Sequence, residues 1–211
     1  MALTCRECLP RRRYAALGLL AATLAGCATI APTEPALQTY TGRFAASISR
    51  GEQREAVSGR FSLTAYPGRA ELDLASPLGN TLARVNAEAN RATLTAPRAD
   101  GTLATWEGVS PDALAESVLG FALPVSGLAD WIAGRPVPGR PARRFPATGP
   151  AQRIEQDGWI IAIDERFEDT GVPRRLSFDR NTDSATGTSL RLRLVVDAAG
   201  GGSGAQEPPP Q

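Results

Sequence analysis

Few side chains in this 211-residue sequence could carry bond-making chemistry. It holds no histidine, and every one of its 23 basic residues is arginine. Without His or Lys, neither a Ser–His nor a Ser–Lys nucleophile pair can be assembled, Schiff-base chemistry is lost, and imidazole metal ligands are absent. Cys5 and Cys8 form a Cys-x2-Cys pair, but no second pair and no histidine completes a zinc site. What remains is carboxylate chemistry among 22 Asp and Glu. No local arrangement marks two of them as a glycosidase-like pair, and scattered acids read as solvated surface charge. The expectation is therefore a protein without catalytic residues, cofactor or metal, with a carboxylate-dependent envelope hydrolase as the remaining enzymatic alternative.

Cys27 offers a different chemistry. Arg11-Arg12-Arg13 supply a positive n-region, Tyr14 to Ala25 a short apolar core, and Leu24-Ala25-Gly26-Cys27 a small-residue cleavage site ending in cysteine. The apolar run is too short to span a bilayer. The order of these features resembles the bacterial lipobox, which implies that residues 1–26 are removed and Cys27 is lipidated. Residues 27–39 then form a flexible, proline-bearing tether. Each buried CH₂ adds about 0.8 kcal/mol, so several chains anchor firmly where one binds marginally. Ala28 stands where the enterobacterial inner-membrane retention signal has Asp, and by resemblance to that sorting rule the destination is the periplasmic face of the outer membrane of a Gram-negative bacterium. Losing residues 1–26 takes four Arg and one Glu from totals of 23 and 22 and leaves a net charge of −2. Nucleic-acid binders usually carry a basic surplus, so none is expected as a partner.

A second candidate is a turn. Ser76-Pro77-Leu78-Gly79 joins two strand-like runs and suits a type I turn, with Ser first, Pro presetting φ second and Gly fourth. Leu78 then occupies the apex, where a polar residue is usual. Burying a leucine is worth roughly 1.5–3 kcal/mol, so this one either tucks beneath its own loop or waits for something apolar.

The elements that carry these residues read mostly as strands. Period-2 alternation places Phe44, Ala46 and Ile48 on one face, then Val57, Phe61 and Leu63, Leu72 and Leu74, Ala92, Leu94 and Ala96. Asp157-Gly158 is a type I′ hairpin candidate before Trp159, and Leu190, Leu192, Leu194 and Val196 line a last strand. Midway the period changes. Ser110-Pro111-Asp112 opens a helix carrying Leu114 and Val118 and closing at Gly120. After an extended apolar link, Ser126 is expected to cap a second helix with Leu128, Trp131 and Ile132, ended by Gly134. Arg135 to Pro150 reads as a loop, and 199–211 as a disordered Gly/Pro-rich tail. One mainly β (α+β) domain over residues 40–198 follows, of about ten or more antiparallel strands with two short helices. Such a curved sheet has either an interdigitated solid core or a lined cavity with the helices as movable covers. Alternation and spacing give twelve candidates for that interior: Phe44, Ile48, Phe61, Leu63, Leu72, Leu74, Leu94, Leu114, Val118, Trp131, Ile132 and Trp159.

Taken together, the lipobox, Asp73 to Ala83, Leu119-Gly-Phe-Ala-Leu-Pro-Val125, Leu128-Ala-Asp-Trp-Ile-Ala-Gly134 and Gln156-Asp-Gly-Trp-Ile160 resemble the LolB family, from the leader to about Val196. The resemblance departs at the end, where Asp197-Ala198-Ala199 and a Gly/Pro tail replace a closing aromatic. It implies an incomplete antiparallel β-barrel covered by helices, like LolA. It further implies that triacylated lipoprotein cargo passes from a LolA-like periplasmic carrier into an apolar cavity and on into outer-membrane phospholipid, by a monomer. Leu78 matches the family's membrane-inserting residue, with Pro77 and Gly79 as turn support. The alternative is a scaffolding envelope lipoprotein with a filled core and no ligand.

Overall fold

A computed structural model describes residues 37–183 and 188–201, so the leader, Cys27 and most of the tether lie outside the described residues. The chain forms β1 (Gln38–Arg50), β2 (Gln53–Tyr66), β3 (Arg69–Ala75), β4 (Thr81–Glu88), β5 (Arg91–Pro97) and β6 (Leu103–Gly108), then α1 (Pro111–Leu119) and α2 (Val125–Ile132). It finishes with β7 (Ala142–Phe145), β8 (Arg153–Gln156), β9 (Trp159–Arg166), β10 (Pro173–Asp183) and β11 (Thr188–Gly200). All strand pairs are antiparallel. The order β6-β5-β4-β3-β2-β1-β11-β10-β9-β8-β7 makes one sheet of 11 strands that does not close, as expected for an incomplete barrel. Pairing of β1 with β11 brings the two ends of the domain together at the centre of the sheet.

Alternation produces this architecture. Along β1, Tyr40, Gly42, Phe44, Ala46 and Ile48 are buried while Thr41, Arg43, Ala45 and Ser47 face out. A one-residue slip would exchange these sets, so the pattern also fixes the register. The outer faces carry exposed ion pairs such as Arg43–Asp197 at 2.9 Å and Arg191–Asp179 at 2.6 Å. Pairs of this kind contribute little stability but keep the outer surface wet.

Curvature has a local cause on β1 and β2. Phe44 lies opposite Gly59 and Phe61 opposite Gly42, two reciprocal aromatic-over-glycine pairs. A Cβ on Gly59 would stand 2.0 Å from the Ala75 carbonyl oxygen, and one on Gly42 2.1 Å from that of Val195. Only glycine lets the strands bend this closely together, and the phenyl rings cover the bared backbone.

α1 begins as its sequence predicts: Ser110 Oγ accepts the Ala113 N–H at 3.3 Å, Pro111 fills the first turn and Gly120 closes it at φ 76°. For α2 the expectation about Ser126 is corrected. Pro124 precedes the helix and makes no side-chain cap, while Ser126 sits inside the first turn. Its N–H and hydroxyl both donate to the Asp112 carboxylate, at 2.9 and 2.6 Å. One carboxylate thus satisfies the start of α2 from the first turn of α1, because it can accept several hydrogen bonds and favours the positive end of a helix dipole. Three boundaries also differ. The stretch read as a loop contains edge strand β7, β1 starts at Gln38, and β11 continues to Gly200 through Thr39↔Gly200 and Tyr40↔Ala199 pairs. Ladder bonds to a paired strand hold residues that composition marks as tail.

Candidate functional site

The inner face of the sheet and the segment from α1 to α2 enclose an apolar interior. Phe44, Ala46, Phe61, Leu72, Leu74, Leu192 and Leu194 from four strands meet Phe121, Leu123 and Leu128 around a remaining space of about 20 Å³. That is little more than one water-sized sphere. A second space of about 240 Å³ lies beside it and shares Phe44, Leu74 and Phe121. The interior is therefore closed by the apolar link between the helices.

Sequence-expected interior residues divide accordingly. Phe44, Phe61, Leu72 and Leu74 line the inner space and Ile48 the neighbouring one. Leu63, Leu94, Trp131, Ile132 and Trp159 are almost fully buried and line neither of these two spaces; they are packed core. Leu114 is buried and Val118 half-buried on α1, again outside both linings. Phe121, Leu123 and Leu128 do line the inner space but lie outside the twelve candidates. The signal for Phe121 and Leu123 is an apolar stretch bounded by Gly120 and Pro124, and that for Leu128 is its spacing of three from Trp131 on α2.

Trp131 has a separate role, in a polar contact within this apolar region. Its indole Nε1 donates to Gln156 Oε1 at 2.8 Å, and the same oxygen accepts the Val137 N–H at 2.8 Å. Gln156 Nε2 donates back to the Val137 and Arg140 carbonyls at 3.0 and 3.3 Å. The amide, 4% exposed, satisfies its hydrogen-bonding capacity this way and ties the end of α2 to β8. Sequence reasoning missed Gln156, because nothing local to Gln156-Asp157-Gly158 beyond a hairpin turn signals a buried amide. Burial also pushes the Tyr40 phenol above its ordinary pKa, so the hydroxyl stays neutral at the sheet's inner face.

Leu78 stands at the tip of the β3–β4 hairpin. Gly79 donates its N–H to the Ser76 carbonyl at 2.9 Å, Ser76 its N–H to Asn80 O at 2.8 Å, and Asn80 its N–H to Ser76 Oγ at 3.1 Å. Gly79 has φ 88°, which a side chain would resist, and Pro77 is exposed beside it. Three hydrogen bonds within residues 76–80 thus define the turn. Leu78 is 90% exposed, the largest exposure among the large apolar residues described, and does not tuck beneath its loop. No described helix is long and apolar enough to cross a membrane.

An open antiparallel sheet with an apolar interior, a helical cover and an exposed leucine on an external turn defines the class, an incomplete barrel with apolar surface inside and at one hairpin tip. The particular family follows from its relatives. A family model described as outer membrane lipoprotein LolB matches residues 38–198. Outer-membrane lipoprotein LolB of Bordetella petrii is 42% identical over 200 residues, covering 91% of this chain and 95% of that protein. Those of Cupriavidus pinatubonensis and Ralstonia nicotianae are 39% and 35% identical, covering 88% and 86% of this chain and 94% and 93% of theirs. The chain belongs to the LolB family.

Proposed function

We propose that this protein is the receptor step of lipoprotein sorting: it takes the acyl chains of a lipoprotein from a LolA-like periplasmic carrier into its interior and delivers them to the outer membrane. The observation that carries this reading is the pairing of an apolar interior with a 90% exposed leucine on a hydrogen-bonded turn, in a chain of the LolB family. Each CH₂ transferred to water costs about 0.8 kcal/mol, so free diffusion of a triacylated cargo would cost tens of kcal/mol. Transfer must run between apolar environments in contact. The donor should therefore bind the chains less tightly, and the bilayer more tightly, than this interior does.

In this reading Phe121, Leu123 and Leu128 occupy the place the acyl chains take, and cargo entry displaces the link between α1 and α2 while Trp131 and Gln156 hold the end of α2. Leu78 enters the bilayer, where its transfer contributes roughly 1.5–3 kcal/mol, with Pro77 and Gly79 keeping it outward. Cys27 carries the lipid anchor. No bond of the cargo changes, and one copy of the chain suffices. A closed interior would also suit a scaffolding lipoprotein; the family separates the two readings. The test is deposition: Leu78→Glu should receive cargo from the carrier as the unmodified protein does, yet deliver it to liposomes at least about tenfold more slowly, as loss of a leucine's transfer energy implies. Unimpaired delivery would remove Leu78 from the reading.

A further inference from the structure

We propose that acyl chains enter and leave sideways, through a gap in the sheet between the first half of β2 and the β3–β4 hairpin; the proposal rests on the receptor reading above. β2 pairs with β1 from Gln53 to Ala65, but with β3 only over Arg60 to Tyr66. The partner strand ends at Ala75, opposite Arg60, where the chain enters the turn to β4. Among the described residues, β2 from Gln53 to Gly59 therefore has a ladder on one side only. Burial alternation lapses over the same stretch. Glu55 lies on the Phe61 face by strand parity, yet its side chain is 64% exposed, and Val57 is half-buried.

The gap is the space of about 240 Å³ already described. Ile48, Val57, Leu74, Leu82, Leu119 and Phe121 form its walls, and Phe44, Leu74 and Phe121 join it to the inner space. Glu55 marks the solvent end and pairs with Arg50 at 3.2 Å. With walls this apolar, a peptide or sugar would leave hydrogen-bonding groups unsatisfied, whereas an acyl chain has none to satisfy. The volume falls below the roughly 300–1,000 Å³ of a site that engulfs a small molecule, as suits a passage holding part of a chain. Position matters as well. Leu74 and Leu82 stand four residues before and after Leu78, so the wall of the gap is also the arm that bears the exposed leucine. At about 3.3 Å per residue, a membrane-inserted Leu78 brings the gap within roughly 13 Å of the bilayer.

The three cysteines all lie in residues 1–27, so a cysteine introduced into the domain is a unique thiol in the mature, lipidated protein. In Val57→Cys that thiol would line the gap; in Ser58→Cys it would sit on the opposite, exposed face of the same strand. Each is blocked with a bulky methanethiosulfonate reagent and titrated with a fluorescent triacylated lipopeptide. The adduct at 57 should weaken binding at least tenfold, with recovery on adding reductant, and the adduct at 58 should change it less than twofold. Recovery shows that the blocked protein kept its fold. Undiminished binding with the adduct at 57, while the untreated variant binds, overturns the lateral passage and leaves the receptor reading standing. Absence of binding to the untreated wild-type protein overturns both.

Discussion

Leu78 and Gln156 are opposite cases at the scale of single residues, one apolar and exposed, one polar and buried. Leu78 adds little to stability where it stands, so Leu78→Glu should shift the urea midpoint by no more than about 0.5 kcal/mol equivalent while impairing deposition. A large loss of stability would mean that the leucine packs against its own domain. Gln156→Leu should cost about 3 kcal/mol or more by the same measurement, since it strands the Trp131 indole, the Val137 N–H and two carbonyls. The contrast bears on what sequence can disclose. Turn chemistry places Leu78 at an apex from four consecutive residues. The partners of Gln156 lie 16 to 25 positions away, and no local pattern reports a contact at that separation.

Elements were legible where a single periodicity governs them. The strands through Phe44, Phe61, Leu94 and Leu192 alternate as expected, and the Asp157-Gly158 turn has φ 52° and 78°, as a type I′ hairpin requires. Ser126 misled because Ser is an N-cap residue by propensity, while the real cap arrives from Asp112 on another helix. Removing that carboxylate tests the point: Asp112→Ala should lower stability by about 1–2 kcal/mol, and Asp112→Asn by less, in urea titrations followed by circular dichroism. The edge strand β7 was hidden for a related reason, as its Arg- and Pro-rich composition contradicts its pairing with β8. Curvature depends on two glycines that alternation alone makes look like gaps in the pattern. Gly59→Ala or Gly42→Ala should cost more than about 2 kcal/mol, because the backbone oxygens of Ala75 and Val195 cannot yield as a flexible side chain would. Thermal midpoints near wild type would refute that account of the bend.

For the whole molecule, the sheet order sets the functional geometry. Because β1 pairs with β11, the chain enters and leaves near Gln38 and Gly200, at the end of β1 remote from the β1–β2 turn. By strand direction the hairpin tip with Leu78 lies at the other end of the sheet. Family resemblance conveyed the incomplete barrel and a change of period marked the two helices, while alternation and spacing gave twelve interior candidates of which eleven are buried and Val118 is half-buried. Alternation did not distinguish residues beside the remaining space from packed core, since both alternate identically along a strand. Nor did it disclose that the link through Phe121 fills the interior, which depends on packing among distant strands. Occupation of that interior by acylated cargo is tested by a photo-reactive benzoylphenylalanine placed at Phe121, half-buried beside both spaces, and in parallel at Ala45 on the outer face. Illumination during transfer of a triacylated lipoprotein should cross-link cargo at position 121 at least tenfold more than at 45. Equal yields at the two positions, or cross-links at 45 alone, would contradict occupation of the interior.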